Sequence, residues 1–216
     1  MSKPYNFPWR IKPYFFYQVG KGVLGPVFAR IFWKYRVIGR ENIPESATGI
    51  IIVSNHLNSI DPAFLAVATR LNWRFIGKTE LFQSKLSGFF YTHLNGFPVD
   101  RDKIDRKALD FALSVMEDGR CGLGIFPEGQ RYRDGQIHEA KAGVAMIARK
   151  TKADILPCSI YHDGPLKLRK TITVRIGELI PFEQLGLGDA PNKRESREAC
   201  EKIMAAVRAL WEQGND

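Results

Sequence analysis

The sequence predicts an α/β domain: a mixed, largely parallel sheet flanked by helices, behind an N-terminal amphipathic helical segment. Three observations carry this. Gly49-Ile50-Ile51-Ile52-Val53-Ser54 is a continuous β-branched run, the pattern of a strand buried on both faces. Asp61-Pro62 soon follows and opens a stretch with apolar residues at helical spacing, so a strand passes to a helix within a few residues. That alternation recurs to the end of the chain. At 216 residues, 44% hydrophobic and 25% charged, the chain has the size and composition of one folded domain with a real core.

Taken in order, Lys21 to Phe32 reads as a helix with a break or kink near Gly25-Pro26, since proline removes an N–H and crowds the preceding turn. Arg36 to Gly39 is a short strand before a turn at Glu41-Asn42-Ile43-Pro44. Past the buried run, Asp61 is a favoured N-cap, Pro62 suits the first helical position, and Phe64, Leu65 and Ala68 supply the apolar face. Arg74 to Gly77 and Gly96 to Val99 are further strands. Asp102 can cap a helix in which Ile104, Ala108, Phe111, Ala112 and Val115 recur at helical period, with Gly119 ending it. Gly122 to Phe126 is a second buried strand. Ala140 to Lys150 is a helix, and Asp154 to Tyr161 and Thr171 to Ile176 are strands. Arg194 to Trp211 closes the chain as a helix with Ile203, Ala206, Val207 and Leu210 on one face.

A net charge of +9 and a pI near 9.5 call for an anionic partner: nucleic acid, anionic lipid head groups or a phosphorylated substrate. The placement of charge narrows the choice. Residues 1–40 carry Lys3, Arg10, Lys12, Lys21, Arg30, Lys34, Arg36 and Arg40 and no acidic residue, interleaved with Tyr, Phe and Trp. Rings among cations suit the interfacial zone of a membrane. No window there approaches the ~20 apolar residues of a membrane span, and no signal-peptide pattern stands out. Residues 1–35 are therefore expected to be a membrane-surface segment and residues 36–216 the remaining domain. The plain alternative is an N-terminal helix whose aromatics pack on the core. Cys121, Cys158 and Cys200 are scattered and lack metal or redox spacing, which suits a reducing compartment. The expected location is the cytoplasmic face of a membrane, peripheral or monotopic, with an anionic membrane surface as a partner. His56, His93, His138 and His162 are far apart, so neither a metal nor a cofactor is expected. No nucleic-acid motif is present, and nucleic acid is not expected as a partner.

Asn55-His56-Leu57-Asn58-Ser59-Ile60-Asp61-Pro62 is the segment with the most chemistry. A neutral imidazole that takes a proton from an alcohol needs a free nitrogen and a partner on the other. Asp61, five residues on, can be that partner; alone, the pair reads equally as a helix cap and a strand-end histidine. His56, Arg101 and Glu128 each fall just beyond a predicted strand, where ligands gather in open α/β sheets.

Three more segments come after it in order: Gly96-Phe97-Pro98-Val99-Asp100-Arg101, Ile125-Phe126-Pro127-Glu128-Gly129-Gln130-Arg131 and Ile155-Leu156-Pro157-Cys158. Together the four resemble the signature blocks of the glycerolipid acyltransferases of the lysophosphatidate acyltransferase type, from about residue 36 to about residue 160. The resemblance implies transfer of a fatty acyl group from acyl-CoA or acyl carrier protein to the free hydroxyl of a lysophospholipid, foremost 1-acylglycerol 3-phosphate. His56 would be the base and Asp61 its orienter. Arg101 and Arg131 would clamp the phosphate, since a guanidinium grips it with two parallel bonds. Lys141 resembles a basic residue the family often carries before a glycine, and Lys78 is a fourth candidate cation; for both, the plain reading is a solvated surface charge. Glu128, in the Phe-Pro-Glu-Gly turn, would accept hydrogen bonds from acceptor hydroxyls or backbone amides or pair with an arginine to fix its fork, and Gly129 would permit the tight turn. Where the family usually has Thr-Arg, this chain has Gln130-Arg131, which bears on head-group preference. Pro157 would lie near the acyl pocket, or merely shape a strand start. Rival functions are the same chemistry on glycerol 3-phosphate, another lysophospholipid or an aminolipid, and a non-catalytic basic module binding membranes or nucleic acid.

Overall fold

Seven strands form one sheet in the computed structural model: Lys34–Ile38 (β1), Ile50–Val53 (β2), Trp73–Lys78 (β3), Gly96–Val99 (β4), Gly122–Ile125 (β5), Asp154–Tyr161 (β6) and Thr171–Ile176 (β7). The spatial order is β1-β7-β6-β2-β5-β3-β4, and every neighbouring pair is parallel except β6 with β7. The structure describes residues 6–10, 14–100, 105–132, 134 and 136–216.

The β-branched run behaves as its composition dictates. All four residues of β2 are buried, between β5 and β6, and they alternate between two cores. Ile51 and Val53 join one with Leu123 and Ile155. Ile50 and Ile52 join the other with Phe64, Leu65 and Trp73. An N-terminal helical run comprises Phe15–Val19 (α1), a π-helical turn Gly20–Leu24 and Gly25–Phe32 (α2). This run and Asp61–Thr69 (α3) cover the second core. Lys85–His93 (α4) lies between β3 and β4 in the chain. Helices Arg106–Asp118 (α5), Gly143–Thr151 (α6) and Lys193–Trp211 (α7) cover the first core.

The structure departs from the sequence expectations at several element ends. The irregularity expected near Gly25-Pro26 takes the form of a π-helical turn directly before it, within a helical run that continues to Phe32. The run starts earlier, at Phe15, and the π-turn just before Pro26 widens the backbone so that the proline is taken up without interruption. The first strand begins at Lys34, where its amide meets Lys170 O at 2.9 Å. Asp61 is not the N-cap of α3: Ile60 is, and the Asp61 carboxylate turns back to the preceding loop. α5 is capped by Asp105, whose Oδ1 accepts from Ala108 N at 3.0 Å; Asp102 and Ile104 lie outside the described residues. α6 begins at Gly143, because the Lys141 amide donates to Pro127 O at 2.8 Å and is held outside the helix. α7 starts at Lys193, with the Asn192 side chain accepting from Arg194 N.

α4 has no counterpart among the sequence-based elements. Its buried residues are Gly88 and Thr92, whereas Leu86, Phe89 and Phe90 face outward. A helix that exposes its large apolar residues inverts the usual signature.

Among the described residues, no helix is long and apolar enough to cross a membrane. The N-terminal run instead packs along α3. The Tyr17 hydroxyl donates to Leu71 O at 3.2 Å and accepts from Trp73 N at 3.1 Å. At Gly25 the run comes close to α3: a Cβ there would stand 2.5 Å from Val67 Cγ2 and also collide with Gly20 O. Helix propensity alone would favour Gly25→Ala by about 1 kcal/mol. Overpacking against Val67 outweighs it, so the variant should lose about 1–3 kcal/mol, read as a lowered urea midpoint.

Candidate active site

β2 stops at Val53 while β6 runs on to Tyr161, and that stagger creates the site. Asp154 to Pro157 pair with β2, and Cys158 to Tyr161 pair with β7. Past the end of β2, the buried Asn55 side chain replaces a strand. Its Nδ2 donates to Ile160 O and its Oδ1 accepts from Ile160 N, both at 2.9 Å. The amide thus satisfies the backbone groups of Ile160 on β6, and the backbone is free to turn out of the sheet at His56.

The carboxylate of Asp61 orders the loop that begins there. It is fully buried, and its Oδ2 accepts from Leu57 N and Asn58 N, both at 2.7 Å, and faces His56 Nδ1 at 2.9 Å. An oxygen already accepting two amides meets Nδ1 as an acceptor, so Nδ1 carries the hydrogen and Nε2 keeps its lone pair. The imidazole stacks on Phe126, with centroids 4.0 Å apart and planes 15° apart, and its side chain is 11% exposed. No described residue hydrogen-bonds Nε2. The ring is therefore fixed on one face and one nitrogen, with the other nitrogen open.

Glu128 follows Phe126 by two residues and is buried, with Oε1 unpartnered among the described residues. Burial pushes its carboxyl up from 4.5 to about 8; the Asp134 and Asp61 charges add to this, and the peptide groups of His138 and His56 partly oppose it. Gly129 adopts φ +74°, and a Cβ on it would lie 2.7 Å from Lys141 Cδ. The missing side chain is what lets the Lys141 stem lie across the turn. Arg131 is exposed and has no hydrogen bond or ion pair among the described residues, and Gln130 beside it is also exposed. The next residue, Tyr132, donates its amide to His56 O at 3.0 Å, tying this turn to the histidine.

His56, Asp61, Glu128, Gly129, Arg131 and Lys141 thus occupy adjoining loops beyond β2 and β5. Lys78, at the end of β3, is half-exposed and pairs with Glu80 at 2.6 Å. Arg101 lies outside the described residues. Pro157 is buried within β6, where pairing passes from β2 to β7; Gly177 N donates to its carbonyl at 2.8 Å. A proline fits there because the two ladders meet at this position. A groove of about 1160 Å³ between α6 and α7, lined among others by Met146, Arg149, Met204 and Arg208, includes none of these residues.

Sequence reasoning assigned no role to Asn55, Asn58, Phe126 or His162. Asn58 Nδ2 donates to His162 Nε2 at 2.9 Å, while His162 Nδ1 donates to Gly164 O at 2.7 Å. Asn58 and His162 are 104 residues apart, so no local pattern signals them.

The acyltransferase family model matches residues 34–161. The chain is 29% identical over 134 residues to a 1-acyl-sn-glycerol-3-phosphate acyltransferase of Streptococcus pneumoniae, covering 62% of this chain and 48% of that protein. It is 27% identical over 181 residues to a protein of the same name from Bacillus subtilis, covering 81% of this chain and 87% of that one. The crystal structure of the 1-acyl-sn-glycerophosphate acyltransferase from Thermotoga maritima matches with a TM-score of 0.66 at 26% identity, over 90% of this chain and 76% of that one. The chain spans less than half the length of the Streptococcus relative.

The raised Glu128 pKa makes stability depend on pH. Between 4.5 and about 8 the folded protein holds a proton that the unfolded chain has released. Glu128 therefore makes stability fall as pH rises across that window, with no penalty below it. Urea unfolding from pH 5 to 8 should show a flatter dependence in Glu128→Gln than in the wild type; an unchanged slope would refute the assignment.

Proposed function

The chain belongs to the acyltransferase family, and we propose that it transfers a fatty acyl group from acyl-CoA or acyl carrier protein to the free hydroxyl of a lysophospholipid, foremost 1-acylglycerol 3-phosphate, giving phosphatidate. The observation that carries this reading is the imidazole of His56, held at Nδ1 by a buried carboxylate with Nε2 left open.

In this reaction His56 Nε2 takes the proton of the acceptor hydroxyl as its oxygen attacks the thioester carbonyl. Asp61 holds the ring and steadies the imidazolium that forms. Collapse of the tetrahedral intermediate forms the ester and breaks the C–S bond, and the proton passes from Nε2 to the departing sulfur. No covalent acyl-enzyme is needed. Arg131 supplies a guanidinium uncommitted to any described residue, and Lys141 adds a cation beside the same turn. Arg101 completes the phosphate clamp by its place in the sequence, and Lys78 is a more distant member, already paired to Glu80. Glu128, protonated at neutral pH, can give or accept a hydrogen bond to the acceptor without repelling its phosphate. Gln130, exposed where the family usually has threonine, favours a second reading with a different head group on the acceptor.

The acceptor and product are membrane lipids, so the reaction belongs at an anionic membrane surface, with the protein peripheral or monotopic. The N-terminal run supports this: Leu24, Val27, Phe28 and Ile31 lie at helical spacing on one side of it and are all half or more exposed. Three free cysteines favour the cytoplasmic face.

His56→Ala should lower acyl transfer about 100- to 10,000-fold with an unchanged circular dichroism spectrum; retained activity would remove His56 as the base. Arg131→Ala should raise KM for 1-acylglycerol 3-phosphate about tenfold or more. The same loss with an acceptor lacking the phosphate would argue against the clamp. A panel of labelled acceptors decides between the two head-group readings.

A further inference from the structure

We propose that α4 is a second membrane-docking element, forming with the N-terminal run one continuous face that sits on an anionic bilayer. The proposal rests on the reading that the acceptor is a membrane-resident lysophospholipid, and it adds a surface that the N-terminal segment alone does not account for.

α4 presents Leu86, Phe89 and Phe90 to solvent, with Leu86 83% exposed and Phe90 56%. They fall at i, i+3 and i+4, on one face of the helix, and the next residue of that stripe is His93. His93 joins the two elements. Its ring lies 3.9 Å from Phe89 within α4, and 4.8 Å from Tyr14 and 5.7 Å from Phe16 across to the N-terminal run. Phe16 is itself 60% exposed, so the apolar surface runs from α4 into α1 through the imidazole at the junction, whose ring meets its neighbours tilted or edge-on. Ser84 anchors the start of α4 by accepting from Ser87 N at 3.2 Å, and Gly88 and Thr92 pack its inner side, so the exposed face is presented by a seated helix.

Charge decides what this face meets. The sequence carries no Asp or Glu before Glu41, and none between Glu80 and Asp100. Lys85 begins α4, and the basic residues of the N-terminal forty belong to the other half. Exposed phenylalanines on segments whose only charges are cations match the boundary of an anionic bilayer, where rings enter the acyl edge and cations meet phosphate. A contiguous apolar face of this kind is rare on a protein that stays in water.

The test is sedimentation with vesicles of phosphatidylcholine and phosphatidylglycerol in equal parts, without donor or acceptor. The double variant Leu86→Glu/Phe90→Glu should bind them about tenfold more weakly or worse, and Val27→Glu/Ile31→Glu should do the same. Transfer to a short-chain, water-soluble 1-acylglycerol 3-phosphate should persist in the α4 variant, while transfer to a vesicle-embedded acceptor falls. Unchanged binding in the α4 variant, with a loss confined to the N-terminal one, overturns the proposal. So does a change in sedimentation coefficient without a change in vesicle binding, because the face would then join two copies of the chain. A wild-type protein that binds vesicles through α4 yet acylates no acceptor supports the surface and overturns the proposed reaction, so the two readings fail separately.

Discussion

One carboxylate oxygen organises the chemistry of this domain. Asp61 Oδ2, on a carboxylate closed to solvent, gathers two loop amides and the imidazole of His56 within 2.9 Å. Hydrogen bonds to a charged acceptor contribute about 1.5–3 kcal/mol each, and a buried amide stripped of its acceptor is destabilising by a similar amount. The loop from Leu57 to Ile60 therefore has one conformation of low energy, and in it the histidine points one nitrogen inward and one outward. Orientation of the ring and order of the loop are the same interaction.

The sheet supplies the place where this happens. β2, β3, β4, β5 and β6 run parallel, so their carboxyl ends lie along one edge. A strand that ends early beside one that continues leaves unpaired peptide groups, which must find partners. Asn55 provides them by bonding both groups of Ile160. The chain leaves the sheet there, and the turn after β5 comes alongside it through the Tyr132 amide. Glu128 is then enclosed, and enclosure is what raises its proton affinity. Two carboxyl groups in neighbouring loops thus differ in character: Asp61 accepts three hydrogens at Oδ2, whereas burial raises the proton affinity of Glu128.

On its outer surface the domain has a strongly one-signed region. The N-terminal run buries Tyr14, Tyr17 and Ala29 and turns its larger aliphatic residues outward, the reverse of an ordinary surface helix. α4 does the same. In water such faces are unfavourable, and their juxtaposition around His93 concentrates the apolar area in one region. Gly25 keeps the N-terminal run close to α3, so that the exposed side is held against a rigid base.

Much of the fold was legible because it depends on local pattern. The run Ile50 to Val53 is apolar at every position and therefore had to be buried on both faces, and the apolar stripe of α7 announced its own length. His56 and Asp61 were legible as a pair because five residues of chain keep them close. α4 was not legible, since its buried side is Gly88 and Thr92 and its apolar side faces out; periodicity identifies an apolar stripe but not what covers it. Nor could one sequence show that Asp61 serves the loop before it instead of capping the helix, because both uses require an aspartate at a helix start. The elements, the excess of positive charge and the residue types the chemistry needs are properties of the chain as written. That Asn55 meets Ile160, that Phe126 supports the imidazole, that Lys141 lies across Gly129 and that Glu128 is sealed from water are properties of the folded domain. Most of those contacts join residues far apart in the chain, and their energies exist only once the sheet has brought them together.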